Sequence, residues 1–303
     1  MTLVPRFVLL LCSFFLPVAI ASANTTCVFS VDNLKHTMTL TNDCTTDTAI
    51  QVPADFTLNR NRHLITAVEP ANGTFTGPVV TNATPITTIN VSNVIIDMPN
   101  LAPNCAQVLG IYLNRASGTI TGNTILHIGQ SGQCPDTGIG ISVAAPLFDT
   151  NSQTVKISAN RVVLASFYAL YISGPIDATV SGNEFSISNL GSHVVEFAAR
   201  SGSFTGNTVE TDSTGEGTQI GLEVYNNLNN IKIVSNNINL VSGNAGIGID
   251  ITGANIPVTI EGNRIFGHGS GNLGIDNGTA GSTITKNEIR LLSDSDWWRS
   301  RKR

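Results

Sequence analysis

One short phrase recurs along this chain and limits what it can fold into. Ile120-Thr-Gly-Asn-Thr-Ile125 returns as Ile157-Ser-Ala-Asn-Arg-Val162, Val180-Ser-Gly-Asn-Glu-Phe185 and Phe204-Thr-Gly-Asn-Thr-Val209. It continues as Ile233-Val-Ser-Asn-Asn-Ile238, Ile260-Glu-Gly-Asn-Arg-Ile265 and Ile284-Thr-Lys-Asn-Glu-Ile289. The Asn positions 123, 160, 183, 207, 236, 263 and 287 are separated by 37, 23, 24, 29, 27 and 24 residues, and Asn93 extends the series backwards by 30. Each unit also holds an alternating apolar segment, such as Ile111-Tyr-Leu113, Leu170-Tyr-Ile172, Val195-Glu-Phe197, Leu222-Glu-Val224 or Ile249-Asp-Ile251. Alternation with period two describes a strand with one buried face. Short strands separated by small-Asn turns, with no helical stretch between them, predict the coils of a β-solenoid.

Composition agrees. Only 12% of the 303 residues are charged and 28 are Gly, which excludes a coiled coil, a helical bundle or a charged disordered chain. The recurrent small-Asn pair has two physical uses. Gly and Asn tolerate the bent or left-handed backbone of a corner. Asn amides stacked from coil to coil hydrogen-bond along the axis.

The I-x-G-N-x-I and G-I-x-I patterns over residues 85–291 resemble the right-handed parallel β-helix, or pectate-lyase-like, superfamily. The resemblance, with the usual crossover chirality, implies an all-β, single-stranded right-handed parallel β-helix of about eight coils with an N-terminal cap. It says little about activity, because that superfamily holds lyases, hydrolases, epimerases, esterases, adhesins and tailspikes. Residues 24–84 lack the Asn repeat and are expected to form the cap and first coil, since an open solenoid end exposes strand edges. The long gap before Asn160 predicts an inserted loop around residues 129–153. Residues 292–303 read as a C-terminal cap, with Trp297 and Trp298, followed by a basic tail.

Residues 1–23 read as a signal peptide: Arg6, the apolar run Phe7 to Leu16, and the small-x-small site Ala21-Ser22-Ala23. The apolar run is too short to span a bilayer, and no second candidate follows. The expected location is therefore secreted or extracellular. Beyond the leader remain Cys27, Cys44, Cys105 and Cys134. An even number in an exported chain predicts two disulfides, with Cys27–Cys44 and Cys105–Cys134 the preferred local pairing of three connectivities. Residues 24–298 carry 11 basic against 21 acidic groups, a balance that disfavours nucleic acid as a partner.

The middle residue of each alternating segment is expected to face outward. Down the coils these residues are Tyr112, Ser142, Tyr171, Glu196, Glu223, Asp250 and Asp276. Four uncompensated carboxylates in one column would repel, whereas a second column pairs Arg161 with Glu184 and Arg264 with Glu288. Glu196, Glu223 and Asp250 are therefore candidate catalytic residues, with one carboxyl donating a proton while another attacks or activates water. Tyr112 and Tyr171 are candidate sugar-stacking residues. Lyases of the resembled superfamily often use Arg or Lys as the base of an elimination, and Arg200, a candidate substrate contact, is the nearest such residue here. Glu223, Asp250 and Asp276 also suit Ca²⁺, the one cofactor this pattern suggests. The expected function is a secreted protein acting on or binding polysaccharide, as a glycoside hydrolase or calcium-assisted lyase. The alternative is a non-catalytic surface or matrix protein that binds glycans. His36, His63, His127 and His193 read as isolated structural residues, and Gly267-His268-Gly269 as a turn.

Overall fold

A computed structural model describes residues 25–59, 61, 63–99, 101, 106–129, 137–188, 193–211, 218–241, 246–269 and 271–292. The leader, Cys105, Cys134, Trp297, Trp298 and the basic tail lie outside the described residues. Those described form strands and no helix, wound into a parallel β-solenoid of about eight turns. One sheet stacks ten short strands from Cys44–Thr46 to Glu288–Leu292. The other holds eighteen strands in two ladders, joined where Tyr168–Ser181 and His193–Thr205 run through both. The solenoid therefore has three faces. Parallel pairing already begins with Thr37–Leu40 against Thr57–Asn59, upstream of the Asn repeat.

The inward residues stack in register. Ile120, Ile157, Val180, Phe204, Ile233 and Ile260 form one fully buried row. A second row holds Ile125, Val162, Phe185, Val209, Ile238 and Ile265. Each such side chain contributes roughly 1.5–3 kcal/mol by leaving water. These rows are the core.

The seven repeat Asn residues form a hydrogen-bonded ladder beside that core. Asn123 donates its backbone N–H and its amide Nδ2 to Asn160 Oδ1, at 3.0 and 2.9 Å. The same two bonds run from Asn160 to Asn183, on to Asn207, Asn236 and Asn263, and end at Asn287. Each Nδ2 spends its second proton on a carbonyl one rung back, as Asn183 does on Ile157 O at 3.1 Å. Asn123 to Asn263 are at most 3% exposed, so every polar atom here needs that partner.

The left-handed backbone belongs to the residue before each ladder Asn. Gly122, Gly182, Gly206 and Gly262 have φ of 62–65°, and Ala159, Ser235 and Lys286 have φ of 54–56°. This corrects the reading of Asn93. The register sets Thr121 opposite Ser92, so Asn93, with φ 52°, occupies the turn position and Val94 the ladder position. Val94 has no amide to offer, and its backbone N–H simply donates to Asn123 Oδ1 at 2.8 Å. The ladder starts at Asn123.

The expected insertion at residues 129–153 is also corrected in part. Gly138–Ala144 is a complete rung, paired on both sides, because Gly138-Ile-Gly-Ile-Ser-Val143 is itself an alternating segment. Further residues follow it, where Asp149 is tied to Arg115 at 2.7 Å.

At the start of the chain an antiparallel hairpin, Phe29–Asp32 with Thr37–Leu40, precedes the parallel coils. Cys27 and Cys44 form a disulfide with Cα atoms 4.8 Å apart, closing a separation of 17 residues. Replacing both by Ser is expected to lower stability by about 2–4 kcal/mol, read as an earlier urea midpoint. An unchanged midpoint would show that the bond does not staple the hairpin. No helix among the described residues is long and apolar enough to cross a membrane.

Candidate functional site

The G-I-x-I segments create two outward columns rather than one. A side chain at Gly110 would meet Gly140 O at 2.6 Å and the core side chain of Ile125 at 2.7 Å, so position 110 faces inward. Ile111 is buried in the core too, so alternation breaks and both Leu109 and Tyr112 face out. Gly248, against Ile265 at 2.7 Å, repeats this near the other end. A cavity lies between the two columns over the rungs from Tyr112 to Glu196.

The first column is the one expected from sequence. Tyr112, Ser142, Tyr171, Glu196, Glu223, Asp250 and Asp276 occupy consecutive rungs in direct register. The spacing between paired strands is about 4.8 Å. The second column, three residues upstream, carries Leu109, Ile139 and Tyr168, which cluster apart from the core, with Tyr112, Phe167 and Tyr171 packed against them. Together these residues and Glu196 wall a cavity of about 410 Å³. Tyr168 is its hub, with ring centroids 3.9 Å from Phe167, 5.3 Å from Tyr171 and 5.8 Å from His193. The cavity is therefore mainly aromatic, and beyond Glu196 the first column continues as carboxylates.

Each carboxylate has its own surroundings. Glu196 accepts a hydrogen bond from the Tyr168 phenol. His193 Nε2 lies 3.5 Å from Glu223 Oε2. Asp250 is 7% exposed, and its Oδ1 accepts the backbone N–H and hydroxyl of Thr252 at 2.8 and 2.7 Å. Burial raises the carboxyl of Glu196 above its ordinary 4.5; the Tyr168 bond opposes this and the Glu223 charge adds to it. Burial, then the Asp250 charge, raises Glu223. Burial also raises the phenol of Tyr168.

These directions set a pH dependence. A carboxyl with a raised folded-state pKa leaves the folded protein holding more protons than the unfolded chain. Its ionisation destabilises the fold as pH climbs from the ordinary 4.5 through the raised value. Glu223→Gln is thus expected to be more stable than the parent at neutral pH, with the gap closing below the ordinary value. Thermal melts across that range check it; a gap independent of pH would contradict it.

Other candidates are placed elsewhere. Arg200 pairs with Asp177 and donates to Ser152, and it walls a separate hollow with Leu147, Phe148 and Leu228. It does not join the carboxylate column. Glu223, Asp250 and Asp276 share that column, yet among the described residues no group of three or more His, Cys, Asp or Glu side chains converges as a metal-ligand set. On the ten-stranded sheet Arg161 meets Glu184 at 3.1 Å and Arg264 meets Glu288 at 3.0 Å, the compensation expected there. His63 and His127 sit beside Asp43 and Asp97 at 3.2 and 2.8 Å.

Phe167, Tyr168 and His193 are the site residues that strict alternation missed. The available signal for Tyr168 and His193 was their place three residues before the outward residues Tyr171 and Glu196. No protein-family model, curated protein or solved structure matches the chain.

Proposed function

We propose that this cavity binds a polysaccharide along the solenoid axis and that Glu196 and Glu223 cleave it by hydrolysis. The observation that carries the reading is an aromatic-walled cavity that reaches Glu196, with Glu223 on the next rung. Tyr112, Phe167 and Tyr171 offer ring faces to sugars, as amphipathic aromatics do at wet sites. The rung spacing of about 4.8 Å is near the separation of about 5–5.5 Å used by retaining glycosidases.

In that chemistry Glu196, kept receptive to charge by the Tyr168 hydrogen bond, attacks the anomeric carbon. Glu223, pushed towards its protonated form by burial and by Asp250, delivers its proton to the departing glycosidic oxygen. The Glu223 carboxylate then takes a proton from water, which releases the sugar from Glu196. Elimination is less well supported, because among the described residues none lining the cavity is Arg or Lys and Arg200 is committed to Asp177. The protein is proposed to work outside the cell, on the strength of the leader pattern and the Cys27–Cys44 disulfide. Its place among the right-handed, pectate-lyase-like β-helices is part of the same proposal.

A panel of neutral, amine-bearing and uronate polysaccharides tests the reading, followed for new reducing ends and for unsaturated products, with calcium and with chelator. New reducing ends without unsaturation support hydrolysis. Ultraviolet-absorbing products, dependent on calcium, would replace it with elimination. Binding without cleavage would leave a glycan-binding solenoid, and neither binding nor cleavage would remove the polysaccharide reading.

A further inference from the structure

Among the described residues, hydroxyl groups without partners gather at the cavity beside Glu196. We propose that this cavity is a subsite for an uncharged sugar ring, held by a row of hydroxyls from Tyr112, Ser142 and Tyr171, so that the substrate is a neutral polysaccharide; this deepens the glycan reading above and rests on it.

The row is the first observation. Tyr112, Ser142 and Tyr171 stand on three successive rungs in direct register, about 4.8 Å apart, and all three line the cavity. Ser142 is 3% exposed, yet its hydroxyl has no hydrogen-bond partner among the described residues. Buried hydroxyls elsewhere in the chain are paired. Thr46 donates to Thr48 O at 2.6 Å and Thr279 to Ile251 O at 2.8 Å, while Ser166 accepts from Gly138 N at 2.9 Å and Thr211 from Val241 N at 3.0 Å. The phenols of Tyr112 and Tyr171 also lack a hydrogen-bond partner among the described residues, whereas that of Tyr168 is engaged by Glu196. Three hydroxyls, each able to donate and to accept, thus face one space. A buried hydroxyl left unpaired is costly, and a ligand rich in hydroxyls removes that cost.

The opposite wall is the second observation. Leu109, Ile139 and Tyr168 form it, with Phe167 packed against them. A pyranose ring has the same two characters, a face of C–H groups and a rim of hydroxyls. The volume of about 410 Å³ lies within the roughly 300–1,000 Å³ of small-ligand pockets.

Charge is the third. Among the described residues lining the cavity, Glu196 alone is charged. His193 packs on Tyr168 with ring centroids 5.8 Å apart and points its Nε2 at Glu223, 3.5 Å away. A uronate or sulfated ring would bring a second negative charge beside Glu196 with no Arg or Lys to balance it. An ammonium sugar would find Glu196 already engaged by the Tyr168 phenol. An uncharged ring meets neither obstacle.

Isothermal titration in the Glu223→Gln background, where cleavage is stopped, tests this with four oligomers of equal length: glucose, N-acetylglucosamine, deacetylated glucosamine and galacturonate. A neutral oligomer is expected to bind best, with an affinity that scarcely changes as salt rises. Ser142→Ala is expected to weaken that binding about threefold to tenfold, the effect of one hydrogen bond. Its urea midpoint is expected to stay in place or move later, because the fold loses no partner. Ser142→Val, which fills the cavity floor, is expected to abolish binding. Tightest binding by galacturonate or by deacetylated glucosamine would overturn the uncharged class and leave the glycan reading standing. Neutral binding untouched by both Ser142 variants, or an earlier urea midpoint for Ser142→Ala, would overturn the hydroxyl row. If none of the four binds, the charge of whichever polysaccharide of the wider panel binds decides in the same way. If none of those binds either, the glycan reading and this inference fall together.

Discussion

Asn183→Ala is expected to cost about 3–5 kcal/mol of unfolding free energy, a large share of what holds most single domains together. The substitution removes more than one bond. Asn183 Oδ1 accepts from Asn160 N and Nδ2 at 2.8 and 2.9 Å, and its Nδ2 donates to Asn207 Oδ1 and Ile157 O at 2.9 and 3.1 Å. All four partners sit in the dry corner of the coil, where each atom left unpaired carries a desolvation cost of about 1–3 kcal/mol. Asn183→Asp is expected to be worse at neutral pH, because an oxygen replaces the donor facing Asn207 Oδ1 and a buried charge goes unpaired. Arg161→Ala, which removes only an exposed ion pair, is expected to shift stability by less than about 1 kcal/mol. Urea unfolding of the three variants decides it. An Asn183→Ala midpoint equal to that of Arg161→Ala would mean that the ladder is ornamental.

Glu196→Gln and Glu223→Gln are each expected to reduce glycan cleavage by about 10²–10⁴-fold while leaving oligosaccharide binding within an order of magnitude. The amides keep the shape of the site and cannot attack carbon or donate the proton. Tyr168→Phe is expected to act more mildly and to alter the pH profile, since it removes the phenol that favours the charged form of Glu196. The two carboxyls interact, so the limbs of a bell-shaped profile belong to the pair rather than to either residue. Full activity in both amide variants, with correct folding, would place the chemistry elsewhere.

The architecture was legible in the sequence because a solenoid repeats its physics on every coil. Seven Asn residues with apolar flanks report a buried ladder that the chain renews every 23–37 residues. The outward column was legible for the same reason: one period-two segment per coil places Tyr171, Glu196, Glu223 and Asp250 in register once the coils are aligned. The failures come from single positions where two roles look alike in sequence. Asn93 satisfies the left-handed turn that Gly122 satisfies one coil later, so its identity did not distinguish turn from ladder. Tyr168 and His193 were hidden because the close approach at Gly110 and its equivalents turns two consecutive residues inward, and strict alternation then assigns the wrong face upstream. Arg200 looked free because Asp177 lies 23 residues away in sequence and one coil away in space.

The central claim is that the cavity from Tyr112 to Glu196, with Glu223 on the next rung, is where this protein meets a saccharide chain. Crystals of Glu223→Gln grown with an oligosaccharide from the polysaccharide that the panel shows to be cleaved or bound test it directly. The account predicts sugar rings stacked among Tyr112, Phe167 and Tyr171, with a glycosidic bond at Glu196 and position 223. Rings bound on the Arg161–Glu184 face or in the hollow beside Arg200, with the cavity holding only solvent, would contradict it.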